Sequence, residues 1–243
     1  MAVPLDGFFP LYSFHFTSLS PCPYLEGRME RKIVIELNGP DPITTHEYLS
    51  HSGFRRSHAM AYIPACPNCG ACTPVRIKTN EFELSKNLKR IWLRNSDIYA
   101  QVCPRKATIE QYRLFTEYQD GRHSCSDMGM MSFYDYKQML EDSPIDTRIV
   151  EFRDSDGELI AACITDFISD GLSAVYSFYE TAMNKRSLGT FMVLWLTMKA
   201  KAMRLPYVYL GYWVKGSEKM DYKSRFRPLE YYMPKKGWQN LEL

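Results

Sequence analysis

The chain has 243 residues, of which 45% are hydrophobic and 24% charged, and its formal net charge is +2. That length supports one large domain or two small ones around a substantial core, and the composition excludes a disordered or fibrous chain. The opening "MAVPLDGFFPLYSFHF" lacks a basic segment and is broken by Pro4 and Pro10, so no export signal is expected. No run approaches the roughly 18 apolar residues of a membrane span.

In chain order, "RKIVIEL" (31–37) alternates and predicts a strand. "PITTHEYLSHSG" predicts a short helix closed by Gly53, with His46 and His51 on its surface. "FRRSHAMAYIP" and "CTPVRIK" predict one strand on each side of a cysteine loop. "SKNLKRIWLRN" (85–95) predicts a basic helix capped by Ser85, and "DIYAQVC" a strand. "TIEQYRLFTEYQDGR" opens with Thr108 and has Gln111 three residues on, a capping-box pattern. "SFYDYKQML" (132–140) predicts a second helix of this half.

The rhythm then changes. "TRIVEFR", "LIAACITDFI" and "LSAVYSFY" are separated by the turn signals "DSDGE" and "SDG", which predicts an antiparallel meander. "RSLGTFMVLWLTMKAKAMRL" predicts a long buried helix, "PYVYLGYW" a strand covered on both faces, and "GSEKMDYKSRF" a last helix. The fold class expected is α+β, with a mixed central sheet. The order helix, helix, meander, helix, strand resembles the acetyltransferase-like (GNAT) fold. In that fold the helix after the meander opens on a loop whose N–H groups hold the pyrophosphate of coenzyme A. Here the matching stretch is Arg186-Ser187-Leu188-Gly189-Thr190-Phe191. Arg186 and Gly189 fit, whereas Phe191 puts a ring where a small residue is expected, which argues for another acyl donor. The division expected is a smaller N-terminal α/β domain over 1–105, packed on a GNAT-like domain over 106–243.

Charge is unevenly spread. Residues 72–106 carry eight Lys/Arg against three Asp/Glu, 107–184 five against fifteen, and 185–236 twelve against three. Two basic blocks that fold together favour a polyanion partner. Lys86, Arg90 and Arg94 stand every fourth residue on one helix face, a repulsive arrangement that phosphates would neutralise.

Cys66, Cys69 and Cys72 stand three apart, with Cys22 distant in sequence. An odd total of seven cysteines without an export signal reads as reduced thiols in the cytosol. The spacing is not that of a zinc ribbon, but runs of C-x₂-C-x₂-C do ligate iron–sulfur clusters. The residues leave a cluster, a redox site and the wall of a pocket all open. No G-x-S-x-G and no H-E-x-x-H occurs.

The last third, "YVYLGYWVKGSEKMDYKSRFRP" (207–228), resembles the signature of the aminoacyl-tRNA–protein transferases, which add an amino acid to the N-terminus of another protein. The matching pieces are Gly211-Tyr212, Lys219-Met220, Tyr222-Lys223 and Phe226-Arg227-Pro228. "YSFYETAMNKRSLGTF", "SPCPYLEGR", "GFRRSHAMAYIPACPNCGACTPVRI" and "ELSKNLKR" are also similar, so the resemblance covers nearly the whole chain in the same order. By length, the chain is most similar to the bacterial branch that moves leucine from leucyl-tRNA to proteins beginning with Asp or Glu, creating a degradation signal. An arginyl-transferring relative, a coenzyme A-dependent acetyltransferase and a zinc-stabilised RNA-binding module are the alternatives.

The resemblance implies aminolysis of an activated ester by an α-amine, a reaction in which positioning supplies much of the rate. For the acceptor's acidic side chain the expected cations are Arg76 first, then Arg55 and Arg56. The catalytic residues expected are Tyr212, Tyr222 and Lys223, with the backbone N–H groups of "LGYW", Tyr222 and Lys223 as the oxyanion donors and Tyr212, like Tyr179, as a ring on which the terminal adenine could stack. The tRNA contacts expected are Lys86, Arg90, Arg94, Arg186, Gly189, Lys219 and Arg225, with Tyr179 stacking on the terminal adenine. No cofactor is required by this chemistry. An iron–sulfur cluster on Cys22, Cys66, Cys69 and Cys72 stays open through the arginyl-type relatives. A monomer in the cytoplasm, with leucyl-tRNA and acidic-start proteins as partners and no membrane, completes the expectation.

Overall fold

The computed structural model describes residues 13–123 and 127–242. The opening stretch up to residue 12, expected to lack an export signal, lies outside the described residues. Among the described residues no helix is long and apolar enough to cross a membrane.

The chain starts with short strands β1 (His15–Phe16), β2 (Ser20–Pro21) and β3 (Met29–Glu30), then β4 (Lys32–Glu36) and helix α1 (Pro42–His51). The stretch expected as one strand after Gly53 is a hairpin of β5 (Arg55–Ser57) and β6 (Met60–Pro64). His58 turns it with φ 54°, a left-handed backbone that a continuous strand could not hold. Strands β1, β4, β6 and β5 form a small sheet closed over α1 by Ile35, Leu37, Leu49 and Ala61.

Next come β7 (Cys72–Lys78), α2 (Lys86–Arg94), β8 (Tyr99–Pro104), α3 (Ile109–His123) and α4 (Phe133–Glu141). The caps follow the expected chemistry. Ser85 accepts from Leu88 N, and Thr108 and Gln111 exchange side-chain bonds with each other's backbone N–H at 3.2 and 3.1 Å. The meander is β9 (Thr147–Arg153), β10 (Leu159–Ile168) and β11 (Gly171–Tyr179). Helix α5 (Leu188–Ala202) and strand β12 (Tyr207–Val214) follow, in the acetyltransferase-like order. The expected last helix is only one turn, α6 (Glu218–Asp221), running into a 3₁₀ turn over Tyr222–Arg225. A further hairpin, β13 (Leu229–Met233) and β14 (Gly237–Asn240), ends the fold.

The main sheet has eight strands in the order β14-β13-β7-β12-β11-β10-β9-β8. It is mixed, since β11 and β12 run parallel and the other pairs antiparallel. An α+β chain with a mixed sheet is therefore what folds. The expected division after residue 105 has no counterpart in the pairing. β7 lies inside this sheet and β8 at its edge, although both precede that boundary. The sequence-local layer that remains separate ends near Pro64.

Residues alternate across the sheet as the pleat requires. Val150, Phe152, Ala161 and Val208 face α2 and α5, while Ile149, Ala162, Ile164 and Phe178 face α3 and α4. Helix α5 is buried through Leu188, Phe191, Met192, Leu194, Leu196 and Ala200, so packing holds it in place, at about 1.5–3 kcal/mol for each large side chain.

Candidate active site

The two parallel strands of the sheet part company. Strand β11 pairs with β12 only from Gly171 to Ser173, against Tyr207 to Tyr209, although both strands run further. β12 also shifts register against β7 between Tyr209 and Gly211. The opening exposes main-chain carbonyls, which must be satisfied when buried. Arg55, from β5 of the small sheet, fills this need. Its Nη2 donates to the carbonyls of Ala174 and Val175 at 2.8 and 2.7 Å. On the other side it lies against Gly211, whose φ is +71°. A Cβ there would sit 1.5 Å from Arg55 Nη1, so only glycine fits.

Lys223 lies one residue along. It is 6% exposed, and its Nζ donates to the carbonyl of Tyr212 at 2.6 Å. Burial, then the nearby Arg55 guanidinium, holds its ammonium pKa well below the usual lysine range. The charge of Arg55 also reaches Tyr24, Tyr212, Tyr222 and Cys163, so these groups ring one guanidinium. Burial pushes the Tyr24 and Tyr222 phenols up to about 12, which keeps both protonated near neutral pH. Cys163 accepts from Ser177 Oγ at 3.3 Å and Thr165 Oγ1 at 3.5 Å beneath the ring. Tyr24 and Ser177 lie in the stretches "SPCPYLEGR" and "YSFYETAMNKRSLGTF", where no role is predicted for them, and Cys163 carries no sequence signal.

Of the expected catalytic residues, Tyr222 and Lys223 belong to this ring. Tyr212 does not offer its hydroxyl. That group donates to the carbonyls of Tyr62 at 2.9 Å and Gly53 at 3.3 Å, and its ring packs on Tyr62, which bolts the small sheet to β12.

Two of the three expected acceptor cations are already engaged. Arg76 is 7% exposed; its Nε donates to Glu230 at 2.7 Å and its Nη1 to the Tyr209 hydroxyl at 3.1 Å. Its guanidinium also stacks 3.4 Å over Tyr207 and 4.3 Å over Trp238. Arg56 makes a two-pronged pair with Asp166, both bonds 2.7 Å, and Thr147 completes that carboxylate. His46, expected on the surface, is buried beside this pair, 3.8 Å from Asp166, and burial lowers its pKa to about 4. His51 is exposed as expected, 2.9 Å from Asp170. Arg55 alone among the three has only carbonyl partners among the described residues.

The expected tRNA residues fall into two groups. Lys86, Arg90 and Arg94 are exposed along α2, and the C-terminal end of α2 meets the start of α5. Arg94 donates to the carbonyl of Lys185, and Asn95 Nδ2 to that of Arg186 at 2.9 Å. Arg186 itself bonds Asn95 Oδ1 at 3.0 Å and pairs with Asp97, so it ties the two elements together rather than standing open for a phosphate. Ser187 turns left-handed into α5 and provides no side-chain cap. Tyr179 lies over that helix start, since a Cβ on Gly189 would be 3.2 Å from its ring, and Arg122 donates to its hydroxyl at 2.9 Å. Phe191 does not obstruct this end. It is 4% exposed and packs inward on Trp92 and Phe152, so the expected steric bar to coenzyme A is absent. Lys219 and Arg225 are exposed on the α6 segment.

The four cysteines of interest converge. Cys72 is pushed up to about 11 by burial and by the thiols of Cys66, Cys22 and Cys69. Cys69 is lowered by the Ala71 N–H and by Arg28, which donates to its sulfur at 3.2 Å. Even so, no group of three or more His, Cys, Asp or Glu among the described residues is arranged to hold a metal ion. Cys72 also borders the tyrosine ring, acting on Tyr24 and Tyr212.

Comparison with known proteins agrees with this architecture. Residues 110–233 match the family model described as arginine-tRNA-protein transferase, C terminus, and residues 20–90 match its N-terminal counterpart. The chain is 57% identical over 234 residues to a protein of Paramagnetospirillum magneticum named aspartate/glutamate leucyltransferase, covering 95% of this chain and 96% of that protein. A protein of Rhodospirillum rubrum with the same name is 52% identical over 226 residues, covering 93% and 92%. One from Granulibacter bethesdensis is 50% identical, covering 96% and 88%. On these grounds the chain belongs to the arginine-tRNA-protein transferase family of aminoacyltransferases.

Proposed function

We propose that this chain moves leucine from leucyl-tRNA to the α-amine of proteins that begin with Asp or Glu, creating a degradation signal. The observation that carries this reading is the likeness, along nearly the full length of both chains, to proteins named aspartate/glutamate leucyltransferase. A second observation favours leucine over arginine as the group moved. An arginyl side chain would need a buried carboxylate. The buried acids among the described residues are engaged elsewhere, Asp166 with Arg56 and Glu151 with Gln111 and Arg153.

The chemistry asks little of the protein beyond positioning. The acceptor amine, with a reference pKa near 8, attacks the leucyl ester carbonyl. The tetrahedral intermediate then collapses, forming the amide and releasing the ribose hydroxyl of tRNA. Tyr222, protonated through burial, supplies an O–H for the developing oxyanion. The exposed basic face of α2 and the start of α5 suit the acceptor stem and its terminal nucleotides, with Tyr179 as the stacking surface. A charged tRNA as donor favours the cytoplasm as the site of action.

The donor is tested by supplying separately labelled leucyl-, arginyl- and phenylalanyl-tRNA with one peptide that starts with Asp. Label transferred from leucyl-tRNA alone supports the reading, and label from arginyl-tRNA alone replaces it with the arginyl alternative.

A further inference from the structure

We propose that Arg55 and Lys223 together seat the side-chain carboxylate of the acceptor's first residue, and so restrict the reaction to Asp and Glu. This rests on the acceptor reading above and names the residues that would enforce it.

The argument starts from an imbalance of charge. Among the described residues, Arg55 is bonded only to the carbonyls of Ala174 and Val175, and Lys223 only to the carbonyl of Tyr212. They sit against neighbouring residues of one strand, since Arg55 lies over Gly211 and Lys223 bonds Tyr212. Among the described residues neither has a carboxylate partner, whereas the other two arginines of this layer each have one, Asp166 for Arg56 and Glu230 for Arg76. Removing two cations from water without an anion is unfavourable.

The groups around them do not correct the imbalance. Arg55 and Cys72 act on Lys223 directly, and the buried titratable groups around Arg55 are Tyr24, Tyr212, Tyr222 and Cys163. Every thiol and phenol in that set is raised by burial, so none is anionic near neutral pH. The carboxylates whose charge reaches this set are Glu30, paired with Lys32 at 2.9 Å, and Asp166, paired with Arg56. A guanidinium, an amine able to take up a proton and several neutral O–H donors are complementary to one anion. Arg55 keeps donors on Nη1 and Nε beyond the two bonds made by Nη2; these two point to opposite sides of Cδ, so the carboxylate takes one charge-assisted bond from Arg55 and its second partner is Lys223. Lys223, depressed by burial and by Arg55, gains its reason to be charged only when the carboxylate arrives. A carboxylate beside it opposes both causes, so acceptor binding favours proton uptake at Lys223 Nζ. The amide analogues Asn and Gln have the same shape and no charge, and would leave Arg55 without an anion and Lys223 without a counter-charge.

The test uses the full chain, leucyl-tRNA as donor, and peptides that differ only in a first residue of Asp, Asn, Glu or Gln. Lys223→Met is expected to raise KM for the Asp and Glu peptides at least tenfold, to narrow the Asp/Asn preference, and to leave KM for leucyl-tRNA within twofold. Arg55→Lys keeps the charge but cannot bond the Ala174 and Val175 carbonyls and the acceptor at the same positions, and is expected to fall between. Should either variant fold poorly, the wild type supplies its own test. Calorimetry in buffers of different ionisation heat is expected to show a larger net proton uptake with the Asp peptide near pH 7 than with the Asn peptide. An unchanged Asp/Asn ratio in both variants, or equal proton uptake for the two peptides, overturns this assignment while leaving the transferase reading intact. A wild type that transfers leucine to no acidic peptide overturns the transferase reading itself.

Discussion

Arg55 and Gly211 meet where β11 and β12 part, and a methyl group on residue 211 would lie 1.5 Å from the arginine's Nη1. A side chain at 211 faces two costs. The backbone φ of +71° is one that L-residues avoid, and the guanidinium occupies the space. Gly211→Ala is expected to destabilise the chain by roughly 2 kcal/mol or more and to abolish most transfer activity. Removing the guanidinium as well, in Gly211→Ala/Arg55→Ala, is expected to recover part of that stability but no activity. Urea unfolding of both single variants and the double variant gives the coupling. Additive effects would mean that the two residues do not share the space described.

Arg76 is expected to matter for stability and not for acceptor choice. Its buried pair with Glu230 would leave an uncompensated carboxylate in Arg76→Ala, a loss of about 3–5 kcal/mol. Where the variant remains folded at low temperature, its preference for Asp over Asn peptides is expected to match the wild type. A selective loss of acidic acceptors in that variant would restore Arg76 as the binding cation.

Much of the architecture could be read from local chemistry. Thr108 with Gln111 announced α3, Ser85 announced α2, and the Asp-Gly turns laid out the meander. What could not be read was which arginine lacks an acid. Arg56 finds Asp166 at 110 positions' distance, and Arg76 finds Glu230 at 154. No local pattern encodes those pairs. Two misses were avoidable. Leu188, Phe191, Met192 and Leu196 recur at helical spacing, which already turns Phe191 inward. Gly237, with its φ of 73°, follows Lys235 and Lys236 in a turn that joins β13 to β14.

The basic face of α2 carries a salt-dependence prediction. Lys86 and Arg90 are exposed, whereas Arg94 is committed to Lys185, so the first two are the appropriate targets. Changing both to Ala is expected to weaken tRNA binding and to reduce the slope of log K against log salt by about 2, near 0.9 for each phosphate no longer neutralised. Filter binding at several salt concentrations measures this, and an unchanged slope would move the tRNA stem elsewhere.

His46 makes the fold acid-sensitive. Its pKa falls from 6.5 to about 4 on folding, so the unfolded chain binds the extra proton between those values. Stability from this residue is complete above pH 6.5 and is lost as pH falls towards 4. At pH 5 the loss is about 2 kcal/mol relative to pH 7. Urea midpoints at the two pH values, compared between the wild type and His46→Gln, isolate that contribution. An identical pH dependence in both proteins would assign the acid sensitivity to other groups.

The central claim, leucyl transfer to acidic N-termini, is tested most directly by mass spectrometry. The purified chain is incubated with leucyl-tRNA and an equimolar mixture of four peptides starting with Asp, Glu, Arg and Ala. The account predicts that the Asp and Glu peptides alone gain the mass of one leucyl residue, attached at the α-amine. Addition to the Arg or Ala peptide at a comparable rate, or addition to none, would contradict it.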